Sequence, residues 1–358
     1  MTPVRVLVSG GGIAGPALAY WLRRHGMRPT VVERAPAVRD GGHRLQIEGP
    51  GVGALCRMGL LDELRGLGVP SPEGIRLDYG GGRGAVIPGV STLVSGEPGL
   101  VLRRGDLCTA LHRHVRDDAE YLFDDSVTAL HESDDGVTVS FLNREPRVFD
   151  LVVGADGTHS HLRSLVFGPE DRFRRYLGTN LVLFDVDRHR TPSDHVVGHV
   201  RSGRGLLLAP LPDPAREECT VLTRDRAPVT DPETHRRSLR ERFAGDGAAT
   251  DRALAAMDEA PAVHVAPSAQ IRMDTWTRGR VALLGDAGYC PDPMTGQGST
   301  LALVGACASS AARSSGRAAT TGSPSPPTSG RCARSSTPTW PWAARTPGWS
   351  HRTPARPG

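Results

Sequence analysis

Residues 279–306 read GRVALLGDAGYCPDPMTGQGSTLALVGA, and this stretch decides the fold class. Val281 to Leu284 form a short apolar run of the kind that builds a buried strand. Gly285-Asp286 follows where such a strand would emerge, and Gly296-Gln297-Gly298 opens a second apolar segment. Backbone N–H groups at a helix N-terminus attract negative charge. An aspartate suited to a polyol, followed by such a helix start, favours a flavin over a nicotinamide.

The N-terminal segment predicts a dinucleotide-binding unit. A strand over Val4 to Val8 leads into Gly-x-Gly-x-x-Gly, a helix over Pro16 to His25, and a strand over Thr30 to Val32. The glycines allow a tight turn and close approach to a pyrophosphate. The acid after the second strand can accept hydrogen bonds from ribose hydroxyls. That acid would repel a 2′-phosphate, so adenosine of FAD or NAD fits better. The expected contacts are Gly10, Gly12, Ala14, Gly15, Glu33 and Arg34.

Two central segments carry further candidates. Leu100 to Leu111 passes from an apolar run into a helical pattern, and Arg104 could neutralise a phosphate there. A solvated arginine on a helix face explains the spacing equally well. Phe149 to Ala155 predicts one buried strand that ends at Asp156-Gly157. An acid at that end of a strand lies at the ligand crevice of an open α/β sheet, although Asp-Gly is also a common turn.

Together these elements resemble the single-component FAD-dependent aromatic hydroxylases, the class related to p-hydroxybenzoate hydroxylase. The resemblance covers roughly residues 1–307 and has three motifs in order: the N-terminal glycines with Glu33, Gly154-Ala155-Asp156-Gly157 with Arg163, and the segment from Gly285 to Gly298. It implies that Arg104 reaches the FAD, that Asp156 in the second motif is a cofactor contact for FAD and NAD(P)H, and that Asp286 holds the ribityl chain. The third motif adds Pro293, Gly296, Gln297 and Gly298 to the expected cofactor contacts.

The resemblance also implies the chemistry. Such enzymes reduce FAD with NADPH or NADH, capture O₂ as a flavin C4a-hydroperoxide and transfer one oxygen, so no catalytic side chain and no metal is expected. Two positions depart from the family pattern, which often has histidine at Tyr289 and asparagine at Thr300. The layout of residues 41–65 is similar to flavin monooxygenases that act on polyketides, including the tetracycline-inactivating ones.

We therefore expect an α/β protein with a Rossmann-like FAD-binding domain and an inserted mixed β-sheet substrate domain. The FAD domain is assigned to residues 1–72, 98–170 and 272–307, and the substrate domain to 73–97 and 171–271. A domain cleft between the two is the expected place for an aromatic or polyketide-like substrate. Gln46, His199 and Pro293 are the candidate lining residues, although a lone histidine such as His199 is more often on a solvated strand face.

Composition excludes several other classes. No run of eighteen apolar residues predicts a membrane span, and the start of the chain lacks a signal-peptide pattern, so we expect a cytoplasmic protein. The six cysteines show no CxxC pair, which disfavours zinc and a disulfide framework. All 43 basic residues are arginine, and residues 1–307 carry 36 of them against 39 acids, so no nucleic-acid surface is expected.

The C-terminal tail changes character. Residues 308–358 are rich in Ser, Ala, Arg, Thr, Pro and Gly without helical periodicity, which predicts a disordered extension. A reading-frame shift near Cys307 would explain it, since shifted codons can encode helical sequence typical of the family. Two alternatives to an active hydroxylase therefore stay open: a catalytically impaired flavin-fold protein, and a flavin oxidase or dehydrogenase. The sequence leaves the oligomeric state unknown.

Overall fold

The computed structural model describes residues 3–39, 41–80, 83–88, 99–188, 195–229 and 231–311. Most of the predicted tail (312–358) and parts of the predicted substrate domain (81–82, 89–97, 189–194 and 230) lie outside the described residues. The described strands are β1 (Arg5–Ser9), β2 (Arg28–Glu33), β3 (Arg44–Ile47), β4 (Val69–Pro70), β5 (Gly74–Gly80), β6 (Arg83–Pro88), β7 (Leu100–Arg103), β8 (Glu120–Phe123), β9 (Val127–Ser133), β10 (Gly136–Phe141), β11 (Arg147–Phe149), β12 (Leu151–Gly154), β13 (Arg174–Asp187), β14 (His195–Arg201), β15 (Arg204–Pro210), β16 (Arg216–Arg224), β17 (His264–Ile271), β18 (Thr277–Arg278) and β19 (Val281–Leu283).

The described helices are α1 (Ala14–Arg24), α2 (Gly49–Met58), α3 (Leu61–Leu67), α4 (Arg104–Val115), α5 (His161–Phe167), α6 (Pro232–Phe243), α7 (Ala248–Glu259), α8 (Asp286–Tyr289) and α9 (Gly298–Ala311). Short 3-10 turns cover Glu170–Arg172 and Pro293–Thr295. The helix expected from Ser299 to Cys307 extends to Ala311, because small residues that lack an apolar stripe still form helical backbone when packed against α1 and α2.

A six-stranded sheet holds the predicted nucleotide motifs. Its order is β18-β19-β12-β1-β2-β8, and all neighbours are parallel except β18 and β19. Its central strands are near-continuous Val and Leu runs because helices and a small antiparallel sheet (β9, β10 and β11) cover its faces. The carboxyl ends of β19, β12, β1 and β2 therefore meet at one edge, where an open α/β sheet binds ligands.

Two antiparallel assemblies complete the architecture. The large sheet has seven strands in the order β17-β13-β16-β15-β14-β5-β6, with one parallel pair, β14 and β5. Helices α6 and α7 cover one of its faces and share a core with it. The small sheet has the order β3-β7-β4 and packs beside α3, α4 and α9. The expected α/β class, a Rossmann-like fold with a separate mixed sheet, is confirmed.

Two expected elements are each divided in the structure. The strand expected from Phe149 to Ala155 breaks at Asp150, where the backbone leaves the β10 ladder and joins β1 through hydrogen bonds with Arg5. The helical region from Pro232 to Met257 is two helices. Gly245 and Gly247 separate them with φ of 83° and 110°, a backbone conformation that helices exclude.

Candidate functional site

The glycine loop after β1 forms the floor of the site. The Gly10 N–H donates to the carbonyl oxygen of Val32 at 2.8 Å, which holds the loop against β2. Gly10 has φ of 114°, and an added Cβ would lie 2.5 Å from the carbonyl oxygen of Ala155. A Cβ on Gly15 would overlap the carbonyl oxygen of Gly10. Both positions therefore require glycine, and they leave bare backbone at the N-terminus of α1 for a pyrophosphate.

Glu33 stands at the end of β2 beside this loop. Its carboxylate accepts the Gly11 N–H at 2.7 Å and the Ala35 N–H at 2.9 Å. These bonds fix the carboxylate at the carboxyl edge of the parallel sheet, and its remaining lone pairs can accept ribose hydroxyls. Arg34 is exposed next to it.

Arg104 reaches the same loop from the start of α4. A Cβ on Gly12 would lie 3.4 Å from its Nη2, so the guanidinium passes directly over the loop. The Arg104 N–H donates to the carbonyl oxygen of His43 at 3.1 Å, which anchors the turn between β7 and α4. The alternative of a solvated arginine on a helix face does not describe this position, because the side chain points to the nucleotide loop.

Asp286 begins the short helix α8 directly after β19. A Cβ on Gly298 would lie 3.4 Å from its Oδ1, so the carboxylate faces the N-terminus of α9. Burial raises the pKa of the carboxyl, while hydrogen bonds with Cys290 and Thr158 and the charge of Arg104 oppose that rise. Ala14 packs against Gly285, where a Cβ would meet its methyl group at 3.2 Å. The first and third glycine motifs are therefore in contact.

The Pro293 loop connects α8 with α9. Pro293 begins a 3-10 turn that ends at Gly296 with φ of 63°, and the Gln297 N–H donates to Thr295 Oγ1 at 3.2 Å. Asp292, which the sequence reasoning missed, holds the loop: its Oδ1 accepts from Ser268 Oγ at 2.8 Å and from the Met294 N–H at 3.2 Å. The signal was present, since an aspartate before a proline at a turn start is a capping pattern.

Asp156 caps the helix α5, and it also lies at the ligand-binding edge of the six-stranded sheet. Its two oxygens accept from Ser160 Oγ at 2.5 Å and from the Leu162 N–H at 3.0 Å, so the carboxylate holds the N-terminus of α5. Its Cα would lie 2.8 Å from a Cβ on Gly10. The backbone of Asp156 thus borders the glycine loop while the side chain turns away into the cap.

A polar ladder runs along one face of β3. Leu45 and Ile47 are buried in the core, so the alternate residues Arg44, Gln46 and Glu48 share the opposite face. Arg44 Nη2 donates to Gln46 Oε1 at 3.1 Å, and Gln46 Nε2 donates to Glu48 Oε1. The Glu48 N–H donates to Thr300 Oγ1 at 3.1 Å. The ladder therefore connects the predicted substrate residue Gln46 with the first turn of α9.

The large sheet faces this ladder with two carboxylates. Asp185 and Glu218 are directly opposite each other on β13 and β16, so their side chains share one face. Asp185 accepts two hydrogen bonds from Arg103, from Nη1 to Oδ1 at 3.0 Å and from Nη2 to Oδ2 at 2.6 Å. Glu218 Oε2 accepts a hydrogen bond from the Arg44 backbone N–H at 2.6 Å. Burial raises the pKa of Glu218 to about 7. The hydrogen bond from the Arg44 backbone N–H and the charges of the Arg44 and Arg103 side chains oppose this rise, whereas the charge of Asp185 adds to it. These contacts form a polar junction between the large and small sheets.

Two imidazoles lie beside this polar junction, near Arg104. His43 and His264 stack with ring centroids 5.3 Å apart and planes 17° apart. Burial, His264 and Arg104 lower the pKa of His43 to about 4, and burial and Arg104 lower that of His264. Both rings are therefore neutral at neutral pH.

His199 does not lie at the polar junction between the small and large sheets. Its register partners on β15 and β16 are Leu206 and Val221, which belong to the core beneath α6 and α7. The ring therefore lies on the opposite face of the large sheet from Glu218, and its Nδ1 is 3.3 Å from Asp78 Oδ2 on β5. The structure therefore does not bring His199 together with Gln46 and Pro293, the other candidate lining residues, because alternation along β14 directs this side chain to the opposite face of the large sheet.

The sequence reasoning missed most residues of the polar junction: Arg44, Glu48, Arg103, Asp185 as a partner of Arg103, Glu218, His43 and His264. For the ladder a signal was present, since Arg-Leu-Gln-Ile-Glu alternates polar and apolar residues. For Asp185 and Glu218 no local signal exists, because their pairing depends on strand register. The described part of the chain has no cluster of metal-ligating side chains and no helix long and apolar enough to cross a membrane.

Comparison with known proteins agrees with this geometry. Residues 3–308 match the family described as FAD binding domain. An uncharacterized protein of Mycobacterium tuberculosis is 39% identical over 314 residues, which cover 84% of this chain and 82% of that protein. A flavin-dependent monooxygenase of Legionella longbeachae is 30% identical, over 85% of this chain and 78% of that protein. The crystal structure of the tetracycline destructase Tet(55) matches with a TM-score of 0.74 and 29% identity, over 87% of this chain and 81% of that chain.

The family match includes every element that builds the site, from the β1 glycine loop to the first turns of α9. Within this match the structure brings together glycines without room for a Cβ, the carboxylate of Asp286 beside Gly298, and Arg104 over the glycine loop. The chain therefore belongs to the FAD-binding-domain family, as an FAD-dependent monooxygenase related to p-hydroxybenzoate hydroxylase.

Proposed function

We propose that the enzyme uses NADPH or NADH and O₂ to hydroxylate an aromatic or polyketide-like small molecule. The observation that carries this proposal is the polar junction between the small and large sheets, whose hydrogen bonds extend from Thr300 on α9 to Arg103 and Glu218. A substrate held by these residues would lie beside the helix start that we propose faces the cofactor. The likeness to a tetracycline destructase supports a polyketide-like substrate.

The residues present fit FAD, which supplies the oxygen-transfer chemistry when bound. Gly10, Gly12 and Gly15 give the pyrophosphate a backbone cradle, and Glu33 would accept the adenosine ribose. Asp286 would hold the ribityl chain. The N–H groups of α9 near Gly298 would stabilise negative charge on the flavin ring, and Arg104 would neutralise a phosphate. The small and large sheets would orient the substrate and exclude water.

Purified protein tests this proposal directly. We expect a yellow protein whose NADPH or NADH oxidation is stimulated by phenols or tetracycline-type polyketides, with one labelled oxygen atom in the product when isotopic O₂ is supplied. Oxidation of NADPH or NADH without label in any product would identify an oxidase or dehydrogenase instead. A colourless protein that takes up no added FAD would contradict the proposal and indicate an impaired flavin fold.

A further inference from the structure

A cavity of about 510 Å³ lies at the amino edge of the six-stranded sheet, where β1, β2 and β8 begin. The Gly10 loop, Glu33 and Asp286 follow the carboxyl ends of strands in the same sheet, so this cavity is separate from the candidate cofactor site. Its size is within the range of small-molecule sites, about 300–1,000 Å³. Four arginines and three carboxylates line it, together with one threonine and three apolar residues.

Arg5 and Arg28 stand side by side at this edge. They are register partners in the parallel pair of β1 and β2, so their side chains share one face of the sheet. Leu7 and Val32 continue that face into the core that the sheet shares with β10. Both guanidiniums therefore extend the same face beyond the core and into the cavity. Like charges at such neighbouring positions repel each other.

Two of the three carboxylates of the cavity are already engaged. Glu120 accepts from both terminal nitrogens of Arg147 at 2.9 and 2.8 Å, and from Thr30 Oγ1 at 3.0 Å. The hydrogen bonds from Arg147 lower the pKa of Glu120 despite its burial, so its carboxylate is ionised and paired. Asp118 accepts from Arg23 Nη2 at 3.1 Å. These two arginines and two acids therefore neutralise each other.

The guanidiniums of Arg5 and Arg28 keep unused donors. That of Arg28 has no hydrogen bond or ion pair with any residue that the structure describes. Arg5 Nε lies 3.7 Å from Asp150 Oδ2, which is longer than a hydrogen bond. Asp117, the third carboxylate of the cavity, is 91% exposed and lies beside Arg116 instead. Two adjacent planar forks of N–H donors therefore face the cavity.

We propose that Arg5 and Arg28 bind the phosphate group of a small phosphate monoester in this cavity. Such a group carries a charge of about −1.5 to −2 at pH 7 and has three acceptor oxygens, so it can bridge both guanidiniums and remove their mutual repulsion. A carboxylate has one charge and fills only one fork. Pro29 and Val148 provide apolar contacts for the organic part of the ligand.

This second ligand site goes beyond the proposed hydroxylation and does not depend on it. The strands β1 and β2 carry the cavity at their amino ends and the Gly10 loop and Glu33 at their carboxyl ends. A ligand that joins the two amino ends binds the folded sheet and not the unfolded chain. Its binding therefore stabilises the nucleotide-binding unit by mass action.

Calorimetric titration of FAD-saturated protein in phosphate-free buffer tests the site. Phenyl phosphate is the probe, and phenyl sulfate is the matched ligand with the same tetrahedral shape and a single charge. We expect phenyl phosphate to bind one site at least about tenfold more tightly than phenyl sulfate, and benzoate to bind as weakly as the sulfate. Arg5→Met and Arg28→Met should each lose at least about tenfold in affinity for phenyl phosphate. The ligand should raise the Tm of the wild type and leave that of both variants unchanged.

Arg83→Met is the control variant. It removes an exposed arginine at the start of β6 on the large sheet, so it should bind phenyl phosphate as the wild type does. Circular dichroism and FAD content identify a variant that fails to fold, and the two cavity variants test the site independently. The proposal is overturned if the wild type shows no saturable binding of phenyl phosphate or binds the sulfate or benzoate equally well. Unchanged affinity in Arg5→Met and Arg28→Met, or an equal loss in Arg83→Met, overturns it as well.

Discussion

Gly15 shows at the residue scale how a missing Cβ creates a cofactor site. The first turn of α1 passes so close to the carbonyl oxygen of Gly10 that a methyl group has no room. We expect Gly15→Ala to lower FAD affinity by at least about tenfold, since moving the turn displaces the N–H groups that face the pyrophosphate. Fluorescence titration of apoprotein with FAD measures the effect.

Gly53→Ala provides the comparison. Gly53 lies within α2, and its added Cβ would be 3.7 Å from Arg57 Nη1, an ordinary contact. Alanine is a better helix former than glycine by up to about 1 kcal/mol, so this variant should bind FAD normally and unfold at slightly higher denaturant. Equal FAD affinity in the Gly15 and Gly53 variants would contradict the role of Gly15.

At the scale of elements, the register of β13 and β16 sets a pH dependence of stability. The pKa of Glu218 in the folded protein, about 7, is above its ordinary value of 4.5. Below the ordinary value the group is protonated in both states and has no effect on unfolding. As pH rises toward 7 the unfolded chain loses the proton first, so the free energy of unfolding falls.

Glu218→Gln should remove this pH dependence because an amide stays neutral. The variant is expected to gain ~1–3 kcal/mol of unfolding free energy relative to wild type between about pH 4 and about pH 8. Urea denaturation at a series of pH values measures the difference. A difference that is constant over the range would show that Glu218 ionises normally in the folded protein.

At the scale of the whole molecule, Arg103 and Asp185 fasten the small sheet to the large sheet. The ion pair is bidentate, with both side chains about a quarter exposed at 24% and 26%. Removing one partner leaves the other partly buried and uncompensated. We expect Arg103→Met to lower the free energy of unfolding by ~1–3 kcal/mol, less than for a fully buried pair because solvent screens part of the charge.

A double-mutant cycle separates the pair from its surroundings. Asp185→Leu combined with Arg103→Met should recover part of the loss, since neither charge remains unpaired. Additive losses in the double variant would show that the two side chains do not interact. Arg216→Met is a suitable comparison, because its partner Asp187 on the same β13 is 89% exposed and should matter little.

The sequence by itself determined the α/β class, the three glycine motifs and the cofactor. These are local signals, because a strand followed by Gly-x-Gly-x-x-Gly and a terminal acid places its own backbone N–H groups and carboxylate within one βαβ unit. Glu33 was predicted in this way, whereas Arg104 and Asp286 were predicted from the family resemblance, and the structure brings all three to one edge of the parallel sheet.

Only the tertiary structure decided the polar junction between the small and large sheets. Glu218 meets Arg44 across 174 residues of chain, and Asp185 meets Arg103 across 82, so no window of sequence contains either contact. The side-chain direction of His199 likewise depends on which face of the large sheet α6 and α7 cover. Strand register and sheet packing set these contacts, and both are properties of the folded chain. A shift of one residue in the register of a strand would move its side chains from the junction face of the large sheet to the core face.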